Sequence, residues 1–504
     1  MKKIFLSITI VVLLILSGCQ EGLEPEFFGS LNPTIFPSTP AEYELYTLEV
    51  YIPYSCKWPY NEGNLWKYHF FGLEEGHVQL FDAPTDLYNI FTGWGDGGPL
   101  WDSKSRGNFS AMVGNDRNRS HFEKTRFVTR TTQIIADLEK ATVFEDETDK
   151  NQLIGEAKMA RAWAMYYMLY LFGPVPVILD ASQIGTDAEG DLTQPARAGY
   201  VSAMVDDLRF AADNLPETPA QYGRFNKGVA LTVLMRLYLN EKDFSNAESV
   251  GREIMEMGYS LVDDYRSLFR EATEGNTETI WAISADPLGQ GRGAEGNFNA
   301  YSYYCRPWSF YGHDGILGHN GWSTVFMATW AFYDSFDPAD ERRTCFITSY
   351  NESETVVVDR STMAGAIIDK YPPEGPNAFQ GNDIPLARYA DVLLMLAEAI
   401  NEINNGPNTE AIDLINQVRH RAGIGDLPAG DIASKQAFND ALLRERGWEF
   451  FLEGQRKFDL VRMGKWPSAL AGVPGKQPVN SPLIPFPQYA VDESDGKLSN
   501  ASYN

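Results

Sequence analysis

Two stretches of this chain set tryptophan and tyrosine among short polar side chains. Residues 91–119 carry Trp94 and Trp101, with Asp96, Asp102, Arg106 and Asn108 interleaved. Residues 285–324 carry Tyr301, Tyr303, Tyr304, Trp308, Tyr311 and Trp322, with Arg306, Asp314 and Asn320 among them. Such a mixture can hold a sugar without breaking a bond. A ring face stacks on the C–H face of a pyranose, while carboxylate, amide and guanidinium groups reach its hydroxyls. Trp94, Asp96, Trp101, Arg106, Tyr303, Trp308 and Trp322 are therefore the candidate ligand-binding residues. The competing assignment for any one ring is a cover over apolar core beneath a long loop.

Catalytic signatures are missing, and no catalytic residue is assigned. The chain has no G-x-S-x-G, H-E-x-x-H or G-x-x-x-x-G-K-[ST] motif. Gly291, Gly293 and Gly296 spell G-x-G-x-x-G, but without the strand and helix that a dinucleotide site needs, so they read as loop. No cofactor and no metal site are expected. His313 and His319, the nearest pair of histidines, read as solvated loop residues. Asp334, Asp337 and Asp340 read as turn residues pairing with Arg342 and Arg343, since the glycine and closing glutamate of a calcium loop are absent. Glu449 and Glu453 stand one helical turn apart beside Arg446 and Arg456, which predicts a surface ion-pair ladder. The alternative, the carboxyl pair of a glycosidase, requires a separation of about 5–10 Å that local sequence does not single out.

The elements that must position the rings are helical. Apolar residues recur at helical spacing over 121–140, 151–172, 198–214, 226–240, 243–257, 388–401, 409–422 and 434–454. The 151–172 helix is stopped by Gly173-Pro174. Residues 226–257 form two such segments around a short turn at 241–243, an αα-hairpin with small residues at Ala230 and Ala247, as in tetratricopeptide repeats. A second hairpin joins 388–401 to 409–422. Between the helices run 91–119, 285–324 and the Pro-, Asn- and Ser-rich 466–504. Loops of that length are uncommon in compact domains unless they carry function.

The 504 residues have a net charge of -26, with 44% hydrophobic and 13% aromatic residues. The apolar fraction suffices for a large core, and the acidic balance argues against nucleic acid or an anionic membrane face as partner. Met1-Lys2-Lys3 precedes an apolar run from Ile4 to Leu16, the pattern of an export signal too short to span a bilayer. It ends in Leu16-Ser17-Gly18-Cys19, which resembles the bacterial lipobox, so Cys19 is the expected lipidation site; the acyl chains (palmitate among them) would anchor the chain. Cys56, Cys305 and Cys345 show no C-x-x-C spacing and read as small buried apolar residues.

Several blocks together resemble the SusD/RagB family of outer-membrane nutrient-binding lipoproteins. They are GEAKMARAWAMYYMLYLFGPVPVIL (155–179), RLYLNEKDFSNAESVGREIMEMGYSLVDDYRSLF (236–269), IPLARYADVLLMLAEAIN (384–401) with LINQVRHRAG (414–423), LRERGWEFFLEGQRKFDLVRMGKW (443–466) and SPLIPFP (481–487). The resemblance implies an all-α, tetratricopeptide-like helical hairpin scaffold with long irregular ligand-binding loops. It also implies a non-catalytic lipoprotein of the outer membrane, facing the cell exterior. Such a protein captures oligosaccharide, or in some members peptide, and hands it to a TonB-dependent transporter of the SusC-like kind. The parts implied are a signal peptide (1–18), a lipidated Cys and tether (19–40), an N-terminal helical region (41–284) and a C-terminal region with ligand loops (285–504). Glu156 and Arg161 are expected to serve as scaffold pairing. The aromatic loops follow no family pattern, so the ligand does not transfer; a surface glycoside hydrolase is the enzymatic alternative.

Overall fold

The computed structural model describes residues 36–56, 70–73, 75–92, 98–114, 116–286, 297–312, 321, 322, 324–375 and 379–500. The chain divides into two units, Met1–Tyr46 and Thr47–Asn504. Within the first, the carboxylate of Glu42 accepts the backbone N–H groups of Ser38 and Thr39 at the head of helix α1 (Pro40–Thr47), satisfying donors that the helix cannot.

The second unit is built on helices α2 (Gly98–Ser105), α3 (Asp116–Phe122), α4 (Thr125–Lys140), α5 (Glu147–Phe172), α6 (Arg197–Asn214), α7 (Lys227–Asn240) and α8 (Phe244–Met255). After the strand β1 (Thr279–Ile283) come α9 (Tyr301–Cys305) and α10 (Trp330–Ser335). The closing helices are α11 (Tyr389–Ile403), α12 (Thr409–Arg421), α13 (Lys435–Phe450), α14 (Arg456–Arg462) and α15 (Gln488–Glu493). The frame is a continuous stack: α4 packs on α5, α5 on α6, α6 on α7, α7 on α8, α8 on α11, and α11 on both α12 and α13. This is the expected all-α hairpin scaffold. The hairpins α7–α8 and α11–α12 fall within two residues of the periodicity.

Local chemistry explains the boundaries. Asp146, Asn226, Asp243, Asn408 and Ser434 each accept a backbone N–H of the first turn behind them, at α5, α7, α8, α12 and α13. Gly173 ends α5 at φ 85°, a conformation that favours glycine, and Pro174 follows. The expected single helix over 121–140 is instead two, separated at Glu123-Lys124. Short strands complete the unit. β1 pairs with β7 (Ile384–Arg388), and β6 (Ala366–Ile368) lies between β2 (Met327–Ala328) and β3 (Phe346–Ile347). β4 (Ser349–Asn351) and β5 (Val357–Asp359) form a hairpin.

The core contains an ionic network that corrects the reading of Glu449 and Glu453. They are buried, not on a surface ladder, and their partners are not Arg446 and Arg456. Glu449 accepts from Arg342 (3.0 Å), Arg388 (2.9 Å) and Arg421 (2.5 Å). Glu453 pairs with Arg388 (2.7 Å) and Lys370 (2.5 Å), and Glu278 with Arg388 and Arg421. Arg446 instead bridges Asp391 and Asp459, and Arg456 holds Asp86. Burial raises the Glu449 pKa, but Arg421, Arg388 and Arg342 outweigh it and hold the carboxyl well below its usual range. Glu156 and Arg161 are scaffold residues as expected, though not each other's partners: Glu156 pairs with Arg224 at 2.8 Å and Arg161 with Asp207 at 2.7 Å. Asp340 pairs with Arg342 and Asp334 with Arg360, while Arg343 lies over the Tyr333 ring. Cys56, Cys305 and Cys345 are free and buried.

Lys457 stands outside this pairing. Its ammonium is buried, donates no hydrogen bond among the described residues, and is enclosed by the rings of Phe109 (4.4 Å), Phe81 (5.5 Å) and Trp466 (5.8 Å). Burial pushes its pKa down to about 7. Because that lies below the unfolded value near 10.5, the unfolded chain holds the extra proton between about pH 7 and 10.5, and stability rises with pH through that window. Replacing Lys457 with Met, which keeps the length and favours ring contacts, is expected to raise unfolding free energy by roughly 2–4 kcal/mol at pH 7. The gain shrinks toward pH 10. Urea unfolding at both pH values checks this; equal stability of the two proteins at pH 7 refutes it.

Among the described residues no helix is long and apolar enough to cross a membrane.

A candidate saccharide platform

The second aromatic stretch is hung on a small knot. α9 ends at Arg306, whose fully buried guanidinium donates to Asp369 (2.8 Å) and lies 4.4 Å from the centre of the Phe310 ring. The returning chain pairs back on it. Gly321 N–H donates to the Pro307 carbonyl (2.8 Å), Trp322 N–H to Tyr303 (2.6 Å) and Val325 N–H to Tyr304 (2.7 Å). Position 321 must be glycine, since a Cβ there would overlap the Arg306 carbonyl. This crossing sets three rings side by side. Trp322 stacks on Tyr303 with centroids 5.8 Å apart and planes at 29°, and Trp308 lies 5.7 Å from Trp322 at 55°.

Burial then separates the rings that can meet a ligand from those that cannot. Trp308 is 60% exposed, and Tyr303 and Trp322 are half-buried. Tyr301 and Tyr304 are core residues, and Tyr301 stacks on Tyr371 at 5.1 Å. Tyr311, 59% exposed, extends the open side. Its backbone pairs with Asn351 of the β4–β5 hairpin, and the Ser309 hydroxyl donates to Glu352 at 2.9 Å. The hairpin's part in this rim was not read from the sequence. The alternating Tyr350 and Val357–Val358 around a polar turn were the available signal. Among the described residues, the arrangement offers the open Trp308 and Tyr311 rings with the Glu352 carboxylate and the Ser309 hydroxyl beside them.

The first aromatic stretch behaves differently. Trp94 and Asp96 lie outside the described residues. Trp101 is a correction: it is 2% exposed, edge-on to Phe91 at 5.8 Å and 5.3 Å from the Lys104 ammonium, so it presents no face to a ligand. Arg106 is also engaged, with Asp102 at 2.7 Å and the Gly475 carbonyl at 2.7 Å, which ties α2 to the C-terminal segment. These contacts make both residues structural. Trp101→Ala is accordingly expected to lower stability by about 3–5 kcal/mol, the cost of emptying a core tryptophan site; a melting temperature unchanged from wild type refutes that. His313, His319, Asp314, Asn320 and the three glycines at 291, 293 and 296 also lie outside the described residues. Among those described, no cluster of three or more His, Cys, Asp or Glu could hold a metal ion.

The fold of the described residues is that of solved SusD-like structures. Surface glycan-binding protein A of Bacteroides thetaiotaomicron, solved with laminarihexaose, superposes with a TM-score of 0.73 at 19% identity, covering 92% of this chain and all of that one. A laminarin-binding SusD-like protein gives 0.72 at 22% identity over 90% of this chain and 97% of that one. The sequence itself matches the SusD family over residues 348–502 and the family described as starch-binding, associating with outer membrane, over 116–239. The chain belongs to the SusD/RagB family. SusD-like protein P2 of Formosa agariphila is 26% identical over 485 residues, 90% of this chain and 89% of that protein. The starch-binding protein SusD of B. thetaiotaomicron is 23% identical over 366 residues, 61% of this chain and 64% of that one.

Proposed function

We propose that this protein is a non-catalytic, cell-surface glycan-binding lipoprotein. Acylated Cys19 holds it to the outer membrane, and it captures oligosaccharide on Tyr303, Trp308 and Trp322. It then delivers the oligosaccharide to a partner TonB-dependent transporter. Trp94 and Asp96 complete the candidate set from the first loop. One observation carries the reading: Trp308, 60% exposed, stands 5.7 Å from a Trp322 that is itself stacked on Tyr303. An indole costs apolar contact with water unless something covers it, and here three rings line up with polar rims, which suits a saccharide. The names of the relatives, starch-binding SusD and the laminarihexaose complex, support the same class of ligand.

Titration of the acyl-free protein with a panel of soluble polysaccharides, including laminarin and starch, tests this by calorimetry and tryptophan fluorescence. A saturable response to at least one is expected, with no reducing ends released over hours at high protein concentration. Silence toward every glycan, or a response only to peptides, overturns the ligand; released reducing ends overturn the non-catalytic part. Co-purification with an outer-membrane transporter from the native cell tests the partner.

A further inference from the structure

A cavity of about 830 Å³ shares no residue with the aromatic platform. Its floor includes residues 176–179, just after α5, and its rim carries Glu123, Glu189, Asp191 and Glu493 against Arg126 alone. The volume is that of a ligand site, but the rings within it are taken. Tyr200 is buried, and Tyr489 has Arg119 over it at 4.5 Å and Phe122 edge-on at 6.3 Å. A stacked sugar therefore lacks a platform here.

The floor offers something else. Residues 175–180 run without turn or bend, Asp180 is extended at φ −109°, ψ 112°, and Val175 is held extended by the proline after it. The Ile178 carbonyl accepts from the Thr132 hydroxyl at 2.8 Å. Along an extended chain the N–H and C=O of one residue share an edge, and the edge alternates with each residue. Val177 and Leu179 thus point the opposite way from Ile178, and neither their N–H nor their C=O groups have a partner among the described residues. These groups form an extended edge with no backbone partner among the described residues, half-buried, beside carboxylates of which Glu189 and Glu493 form no ion pair among the described residues.

We propose that the groove receives an extended segment of a partner protein, which pairs with the 175–180 edge as an added strand and sets basic side chains toward Glu189 and Glu493. Strand addition of this kind draws affinity from main-chain bonds and specificity from alternate side chains. The proposal is independent of the saccharide reading.

The test is hydrogen–deuterium exchange on the mature chain. The probe is a pool of acetylated heptapeptides with lysine fixed at alternate positions and valine or threonine between. Exchange in residues 173–182 is expected to slow at least tenfold with the pool. It should not slow with the same pool N-methylated at alternate residues, nor with glutamate in place of lysine. The double variant Glu189→Lys/Glu493→Lys should lose that protection while keeping its melting temperature and its saccharide response. No slowing at millimolar peptide overturns the proposal. So does equal slowing by the N-methylated or glutamate pools, or slowing produced by the glycan panel.

Discussion

Trp308→Ala is expected to weaken saccharide binding by at least ~30-fold, the effect of losing a central aromatic anchor worth about 2 kcal/mol. The ring is 60% exposed, so its removal leaves no cavity, and the melting temperature should stay within a degree or two of wild type. Trp322→Ala is expected to be at least as damaging, because Trp322 stands between Trp308 and Tyr303 in the proposed platform. Transporter association, if measured beside binding, should survive both substitutions. Calorimetric titration with whichever glycan of the panel binds best provides the measurement. Unchanged affinity in both variants would remove the platform from the ligand site and leave the undescribed Trp94 and Asp96 as the remaining candidates.

A large effect on stability is also expected from the buried network. Glu449→Gln keeps the shape of the side chain but removes the charge that faces Arg342, Arg388 and Arg421. Leaving such a group uncompensated typically costs about 3–5 kcal/mol, a large share of a total of about 5–15. The same geometry fixes the acid dependence. Glu449 and Asp391 are both held below their ordinary values, Asp391 at about 2, through arginines that outweigh the penalty of burial. A carboxyl with a depressed folded pKa contributes its stability above the unfolded value near 4 and loses it as pH falls toward the folded one. The contribution of these two carboxyls should therefore be constant from pH 7 to about 5 and fall steeply below about 4, added to the loss that the buried neutral His77 and His121, both held at about 3, bring from about pH 6.5 downward. Glu449→Gln should begin lower and fall less. Denaturant titrations at pH 7, 5 and 3 measure both; a variant within 1 kcal/mol of wild type at pH 7 contradicts the role given to the network.

The sequence by itself determined the features whose causes are local. Helical spacing of apolar residues, cap residues such as Asn226 and Ser434, and the Gly173-Pro174 stop depend on neighbours within a few positions, so the hairpin frame and most of its boundaries were legible. The family blocks lie on those same helices. The 285–324 stretch was legible as a carrier of open rings, whereas 91–119, read as irregular loop, contains α2 and buries Trp101 on it.

Which rings face water was decided only by the tertiary structure. Trp101 and Trp308 sit in stretches of similar composition. Yet the first is closed in, its helix tied through Arg106 to a carbonyl 369 residues away, while the second projects from a knot whose buried anchor, Arg306, reaches Asp369. Glu449 and Glu453 failed for the same reason. Their i, i+4 spacing is what a solvated helix face also shows, and nothing nearby announces that Arg342 and Arg388 arrive from 107 and 61 residues away to enclose Glu449. Periodicity records which side of a helix is apolar; whether a charge or a ring is buried depends on what is folded over it, and here those covers come from distant segments of the chain.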